Sequence, residues 1–186
     1  MKVGVLALQG CVEPHLKMLA RVGAEAISVR RPAQLEQLDR IILPGGESTT
    51  MLLLMEKVQL GPALREFGKT HPVWGICAGS ILIAQEVCDP AQSSLNLIPI
   101  RARRNFYGSQ TDSFKTPLQT DLLKSPIEVD FIRAPLLEPL SRDITVHASH
   151  QGHAVLLQRG RILASSFHVE LGEDSRLHEY FLNLES

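Results

Sequence analysis

The chain has 186 residues, a length suited to one compact domain, and its 44% hydrophobic content can bury a sizeable core, which excludes a disordered tail. A formal net charge of -1 gives no electrostatic basis for binding nucleic acid or an anionic membrane. The three cysteines, Cys11, Cys77 and Cys88, are an odd number without framework spacing, so free thiols in a reduced, cytoplasmic setting are expected.

Val3 to Leu8 is a nearly continuous apolar run, short and without a small-residue cleavage site, so it reads as a strand buried on both faces and not as a signal peptide. Val12, Leu16, Leu19 and Ala20 recur at helical spacing and predict a helix from Val12 to Arg21, stopped by Gly23. Ala26 to Val29 is a second strand, Leu35 to Leu38 a turn of helix, and Arg40 to Leu43 a third strand ending at Pro44-Gly45-Gly46. Ser48 is placed to cap a helix over Thr49 to Val58, and Pro62 to start another running to Phe67. The run Met51 to Met55 within the first of these is too short to span a bilayer. Pro72 to Ile76 is a fourth strand, followed after Cys77 by a helix from Ala78 to Val87.

Alternating strands and helices imply crossovers, hence an open, mostly parallel α/β sheet flanked by helices. From about Leu95 the pattern changes to crowded short strands: Leu97 to Arg101, Ile127 to Ile132, Ile144 to Ala148, Ala154 to Gln158 and Ile162 to Ser166. That half is expected to be more antiparallel, so the sheet is mixed, and a helix from Ser175 to Leu184 closes the chain. No linker, repeat or low-complexity stretch divides it, which predicts a single domain over residues 1–186.

Gly75-Ile76-Cys77-Ala78-Gly79 sits at the junction of the fourth strand and its helix, where hydrolases place a nucleophile elbow. Glycines flank a sharp turn there, and the helix N-terminus favours negative charge on the sulfur. The bland alternative is a small buried cysteine between two packing glycines. A cysteine nucleophile needs a base, and the base an orienting group. In Phe167-His168-Val169-Glu170 the residues two apart project together if the segment is extended, so Glu170 can support the imidazole of His168. Gly45-Gly46 frees the backbone to present N–H groups, and the N–H of Gly46 with that of Ala78 would form an oxyanion hole. His147, His150 and His153 invite a metal reading, but their spacing on a strand and turn does not keep three ligands on one face. Cys11 and Cys88 fall in helical patterns and read as packing residues.

Strand-PGG, then G-x-C-x-G, then a late F-H-x-E resembles the class I glutamine amidotransferases, whose fold is flavodoxin-like. Val5 to Gly10, Pro44 to Thr50 (PGGESTT), Arg104-Asn105, Asp112-Ser113-Phe114, Phe131 to Pro135 (FIRAP) and Ser166-Phe167-His168 narrow the resemblance to the glutaminase subunits of pyridoxal 5'-phosphate synthase, over Val3 to Phe181. The resemblance implies Cys77 as nucleophile with His168 and Glu170 completing a triad, and Gly46, Glu47, Ser48, Arg104, Ile132 and Arg133 as the residues that hold L-glutamine. It implies no cofactor and no metal. It further implies a partner, a (β/α)₈-barrel synthase subunit in a hetero-oligomer, which takes the ammonia through a protected channel. This chain departs from the pattern at Ile76, where threonine is usual, at Val169, where proline is usual, at Leu52-Leu53, which replace a basic pair, and at Phe106. Ile76 and Val169 bear on rate, Leu52-Leu53 on the partner-facing surface. Three alternatives are a glutaminase serving another synthase (such as that of imidazole glycerol phosphate synthesis), a cysteine peptidase on a related fold, and a non-catalytic partner of the same fold. The PGGESTT and FIRAP segments argue against the first, and the intact triad against the last.

Overall fold

A computed structural model describes residues 1–107 and 113–185; Asp112, one of the residues that carry the resemblance, lies outside them. Apolar runs form the strands β1 (Lys2–Leu6), β3 (Arg40–Leu43) and β4 (Val73–Ile76), with β2 (Glu25–Val29) at one edge. Every residue of β3 and β4 is buried, which requires helices on both faces of the sheet. The period-2 alternation divides their side chains between two cores. Ile41, Leu43 and Val73 pack with the helices α2 (Ser48–Lys57), α3 (Leu60–Thr70) and α4 (Ala78–Ile83). Ile42, Trp74 and Ile76 pack on the other side with α1 (Val12–Arg21) and α5 (Arg176–Leu182). Each such fully buried aliphatic side chain contributes roughly 1.5–3 kcal/mol of transfer free energy.

The second half brings β10 (Thr145–His150), β11 (His153–Arg159) and β12 (Ile162–Ser165) into the same sheet, in the order β10-β11-β12-β4-β3-β1-β2. The antiparallel expectation holds for β10-β11 and β11-β12, but β12 runs parallel to β4, Ile162 opposite Val73 and Ser165 opposite Ile76. The fold is therefore α/β, with a mixed, mainly parallel open sheet flanked by helices. Among the described residues no helix is long and apolar enough to cross a membrane.

The helix expected over Ala78 to Val87 stops at Ile83, and β5 (Ala84–Cys88) follows. Ile81, Ala84 and Val87 share helical spacing, but the carbonyls of Leu82 and Ile83 accept the N–H groups of Leu95 and Leu97 at 2.7 and 2.8 Å, and β5 pairs parallel with β6 (Ile98–Tyr107). Tertiary pairing overrides the local pattern. Cys88 thereby lies on a strand and not in a helix. Two strands went unread, β7 (Phe114–Leu118), paired with β8 (Ile127–Phe131), and β9 (Ala134–Pro139), paired with β6. Pro117, Pro135 and Pro139 demote them in sequence, and each belongs to a small sheet of two or three strands where proline is tolerated.

Candidate active site

β12, β4 and β3 are neighbours running in one direction, so the segments leaving their carboxyl ends converge at one edge of the sheet. From β4 the chain passes through Cys77 into α4, from β3 through Pro44-Gly45-Gly46 into α2, and from β12 into Ser166 to Glu170. Cys77 itself takes the strained conformation of the elbow, φ 50° and ψ −105°. The flanking glycines are needed for close approach. A Cβ on Gly79 would meet the Leu43 carbonyl oxygen at 1.9 Å, and one on Gly75 the Gly79 carbonyl oxygen at 2.6 Å.

The segment after β12 is extended, as expected. His168 exchanges backbone hydrogen bonds with Asp130 of β8 at 2.8 and 2.9 Å, which fixes it across the gap between the sheets. Its Nδ1 pairs with Glu170 Oε1 at 2.6 Å, while Glu170 Oε2 accepts the Val169 N–H at 3.0 Å. Nε2 is the nitrogen left for the thiols. Burial disfavours a charged imidazole at His168, but its contacts with Cys11, Cys77 and Glu170 outweigh that and raise its pKa well above the ordinary histidine value. Burial also favours the neutral acid of Glu170, yet His15 and His168 prevail and bring it down to about 2.

Cys77 and Ala78 line a cavity of about 30 Å³ together with Gly46, Glu47, Ser48, Arg104, Ile132 and Arg133, so every residue expected to hold glutamine borders it. That volume is roughly one water's share of liquid. Arg104 and Glu47 are joined across it by an ion pair of 3.1 Å, which an entering substrate must part or shift. Gln9 Oε1 accepts the Glu47 N–H at 2.8 Å, and the Gly45 carbonyl accepts the Cys11 N–H at 2.9 Å. Because the peptide is trans and planar, the Gly46 N–H points away from Cys11. The expected cap on α2 is not made. Ser48 is the first helical residue, and its hydroxyl donates to Gln92 Oε1 at 3.1 Å.

The three histidines of H-x-x-H-x-x-H go to separate partners. His147 sits between Asp121 and Gln158 at 2.8 and 3.0 Å, His150 stacks on Phe131, and His153 meets Phe106 edge-on. Cys11 is at the head of α1 and not within a packed helix, where it reaches His168. Cys11, His168 and Glu170 bring ligand-type atoms within 4.8 Å of one another. Two buried histidines were missed. His15 Nε2 stands 3.6 Å from Glu170 Oε1, and His15 Nδ1 faces His178 Nε2 at 3.0 Å. His15 does occupy a buried position of the α1 pattern, but its partner is 163 residues away in the chain and no local signal joins them.

Burial lowers the pKa of His15 to about 4 and that of His178 to about 3, so the fold holds both rings neutral where the unfolded chain would protonate them. Stability is therefore expected to fall as pH drops below the ordinary histidine value, by on the order of 2 kcal/mol per ring at pH 5. His168 has the opposite sign: its stabilisation is complete below that value and is lost as pH rises through its own raised pKa. Glu170 adds a loss only below the usual carboxylate range. Urea midpoints at pH 7 and pH 5 check this, and equal midpoints would mean that the rings are not held neutral.

The sequence matches the SNO glutamine amidotransferase family over residues 5–185. It is 44% identical to the pyridoxal 5'-phosphate synthase subunit PdxT of Oenococcus oeni, across 98% of this chain and 96% of that protein. It is 43% identical to the protein of the same name from Shouchella clausii, across 99% and 95%. A crystal structure of a glutamine amidotransferase superposes with a TM-score of 0.92 at 40% identity, covering 98% of this chain and 97% of that one. PurLQS from Thermotoga maritima gives 0.69 at 15% identity, covering 98% and 97%, a likeness of fold alone.

Proposed function

The chain belongs to the SNO glutamine amidotransferase family, and from that premise we propose that it hydrolyses L-glutamine to L-glutamate and ammonia as the glutaminase subunit of a pyridoxal 5'-phosphate synthase, residues 1–186 acting as one glutaminase domain. The observation that carries the reading is Cys77, held at the strained strand-to-helix elbow, bordering a pocket with Glu47, Arg104 and Arg133 and acting on the buried His168–Glu170 pair. Free glutamine carries an α-ammonium and an α-carboxylate, and one acidic and two guanidinium side chains complement both.

The Cys77 sulfur, its proton on His168, attacks the side-chain amide carbon of glutamine. The resulting oxyanion is held by the N–H groups of Gly46 and Ala78, while Ser48 and the Ile132 backbone help shape the pocket. When the C–N bond breaks, His168 gives its proton to the departing nitrogen and ammonia leaves a glutamyl thioester. Water then attacks the thioester carbon, His168 takes its proton, and glutamate departs with the sulfur restored. Glu170 keeps Nδ1 of His168 protonated and the ring aimed at Cys77 throughout, as an orienting carboxylate does in other triads.

The partner in this reading is a (β/α)₈-barrel synthase subunit, assembled with the chain as a hetero-oligomer and receiving ammonia before water can protonate it. The three free cysteines suit a cytoplasmic setting. Glutamate release from L-glutamine, measured with and without such a synthase subunit, tests the assignment. Release that rises on adding the synthase is expected. Its absence under both conditions, from folded chain and a synthase competent with free ammonia, would overturn it.

A further inference from the structure

Beneath the triad lie two histidines that the chemistry above does not use. His15 on α1 and His178 on α5 are both 0% exposed, and they join Glu170 in a continuous line. His178 Nε2 faces His15 Nδ1 at 3.0 Å, His15 Nε2 faces Glu170 Oε1 at 3.6 Å, and the same oxygen receives His168 Nδ1 at 2.6 Å. Trp74 walls the line off edge-on, its ring centroid 6.5 Å from that of His15 and 5.1 Å from that of His178. The indole N–H is engaged elsewhere, with the Ser165 hydroxyl at 3.1 Å.

The contacts select one tautomer for each ring. Burial keeps both neutral at physiological pH, so each carries a single N–H. In one arrangement His15 donates from Nδ1 to His178. A bare Nε2 lone pair then faces the Glu170 carboxylate, and His178 leaves an N–H on Nδ1, an atom without a hydrogen-bond partner. In the other, His178 donates from Nε2 to His15 Nδ1, and the N–H on His15 Nε2 faces Glu170 Oε1 at 3.6 Å, beyond hydrogen-bond distance and with no other partner, so it acts on the carboxylate through its dipole. The only orphan left on His178 is then a lone pair, which is cheaper to bury than an N–H. The second arrangement is favoured at both ends.

We propose that His178 and His15 are positioning residues, a tautomer-locked relay that holds Glu170 Oε1 against His168 Nδ1 for the glutaminase reaction. The role rests on that reaction being the activity. The relay runs from a helix at the end of the chain, through α1, to the base. Arg40 fastens the helix end by donating to the Phe181 and Leu184 carbonyls. At neutral pH His15 offers Glu170 an N–H dipole, not a full charge. That suffices to aim a carboxylate without drawing its negative charge away from His168.

The groups facing Glu170 are His15 and Cys11 from α1, His178 from α5 behind His15, and His168 from its own segment. In His15→Leu the buried carboxylate loses one of the polar groups whose field offsets its burial. Its proton affinity rises and the acid limb of the kcat profile moves to higher pH. We expect His15→Leu to lower kcat by roughly 10–100-fold, the scale of a displaced catalytic group, with KM within about twofold. His15→Gln, whose amide can present an N–H where Nε2 stands, restores most of the loss and the acid limb. His178→Leu frees the His15 tautomer and gives a smaller loss of the same kind. Equal impairment in His15→Leu and His15→Gln would make His15 a packing residue and overturn the relay, as would an unchanged kcat in His15→Leu while the native chain turns over. Nitrogen-15 NMR of the native chain gives an answer independent of turnover: Nε2–H on both rings is required, and Nδ1–H on His15 would also overturn it.

Discussion

Cys77→Ala is expected to lower glutamate release from L-glutamine by at least about 10⁴-fold, because the covalent route is lost and only binding and the oxyanion donors remain. The backbone should not register the change. Cys77 sits at φ 50°, where alanine is disfavoured about as cysteine is, so the strain is common to both and the fold is expected to survive. A second thiol makes the experiment discriminating. Cys11 also reaches His168, but it is absent from the lining of the pocket that Cys77 shares with Glu47, Arg104 and Arg133. Cys77 also precedes α4, whose first N–H groups have no intrahelical partner and are available to an oxyanion. Cys11 heads α1, which packs on the opposite face of the sheet from α4. Glutamate release and a thermal melt on the same preparation check both halves of the expectation. Residual turnover above about 1%, a far smaller loss than removal of a covalent nucleophile gives, would reject Cys77. If that residue of activity vanished in the Cys11→Ala/Cys77→Ala double variant, the nucleophile would be Cys11.

The parallel half of the fold was legible because strands covered on both faces, as β3 and β4 are at every position, read as nearly continuous apolar runs, broken in β3 only by Arg40 at its start. The motif residues were legible for a related reason. Cys77, Gly45-Gly46 and His168 each follow such a strand within three residues, so placing three strands in one sheet places three loops at one edge. What escaped notice depends on contacts between distant segments. β5 looked helical because Ala84 and Val87 keep helical spacing. Its strand character comes from pairing with β6, more than ten residues on. β7 and β9 carry prolines that argue against strands wherever sheet edges are not yet known. His15 and His178 look like ordinary polar interruptions of two amphipathic helices. Nothing near either announces a carboxylate that His15 approaches, with His178 behind it, only in the folded chain. Ser48 shows the converse error: a good capping residue at a plausible start, recruited instead by Gln92.

Gly45→Ala is expected to cost about 10²-fold in kcat, with a smaller fall in melting temperature than Gly79→Ala. The two consequences separate because of what an added Cβ would meet. At Gly45 it would lie 2.1 Å from Cε1 of His168 and 3.0 Å from each ring nitrogen, so the imidazole must retreat by more than an ångström. Glu170 grips that ring at Nδ1 with 2.6 Å, and Asp130 holds its backbone on both sides, so retreat breaks the line from Glu170 through His168 to Cys77. Gly45 is not among the glycines at positive φ, so alanine suits its backbone and the cost to the fold is confined to the displaced His168–Glu170 pair. Gly79→Ala is the contrasting case. There the new Cβ would come within 1.9 Å of the Leu43 carbonyl oxygen and 2.7 Å of its carbon, backbone of a central strand that cannot rotate aside. The cost falls on packing between α4 and β3, at roughly 3 kcal/mol or more, and shows as a lowered melt. Kinetics and melts on the pair test whether the two glycines divide in this way. A fully active Gly45→Ala enzyme would mean that His168 has room to spare, and that the contact between this loop and the imidazole does not set the geometry of the triad.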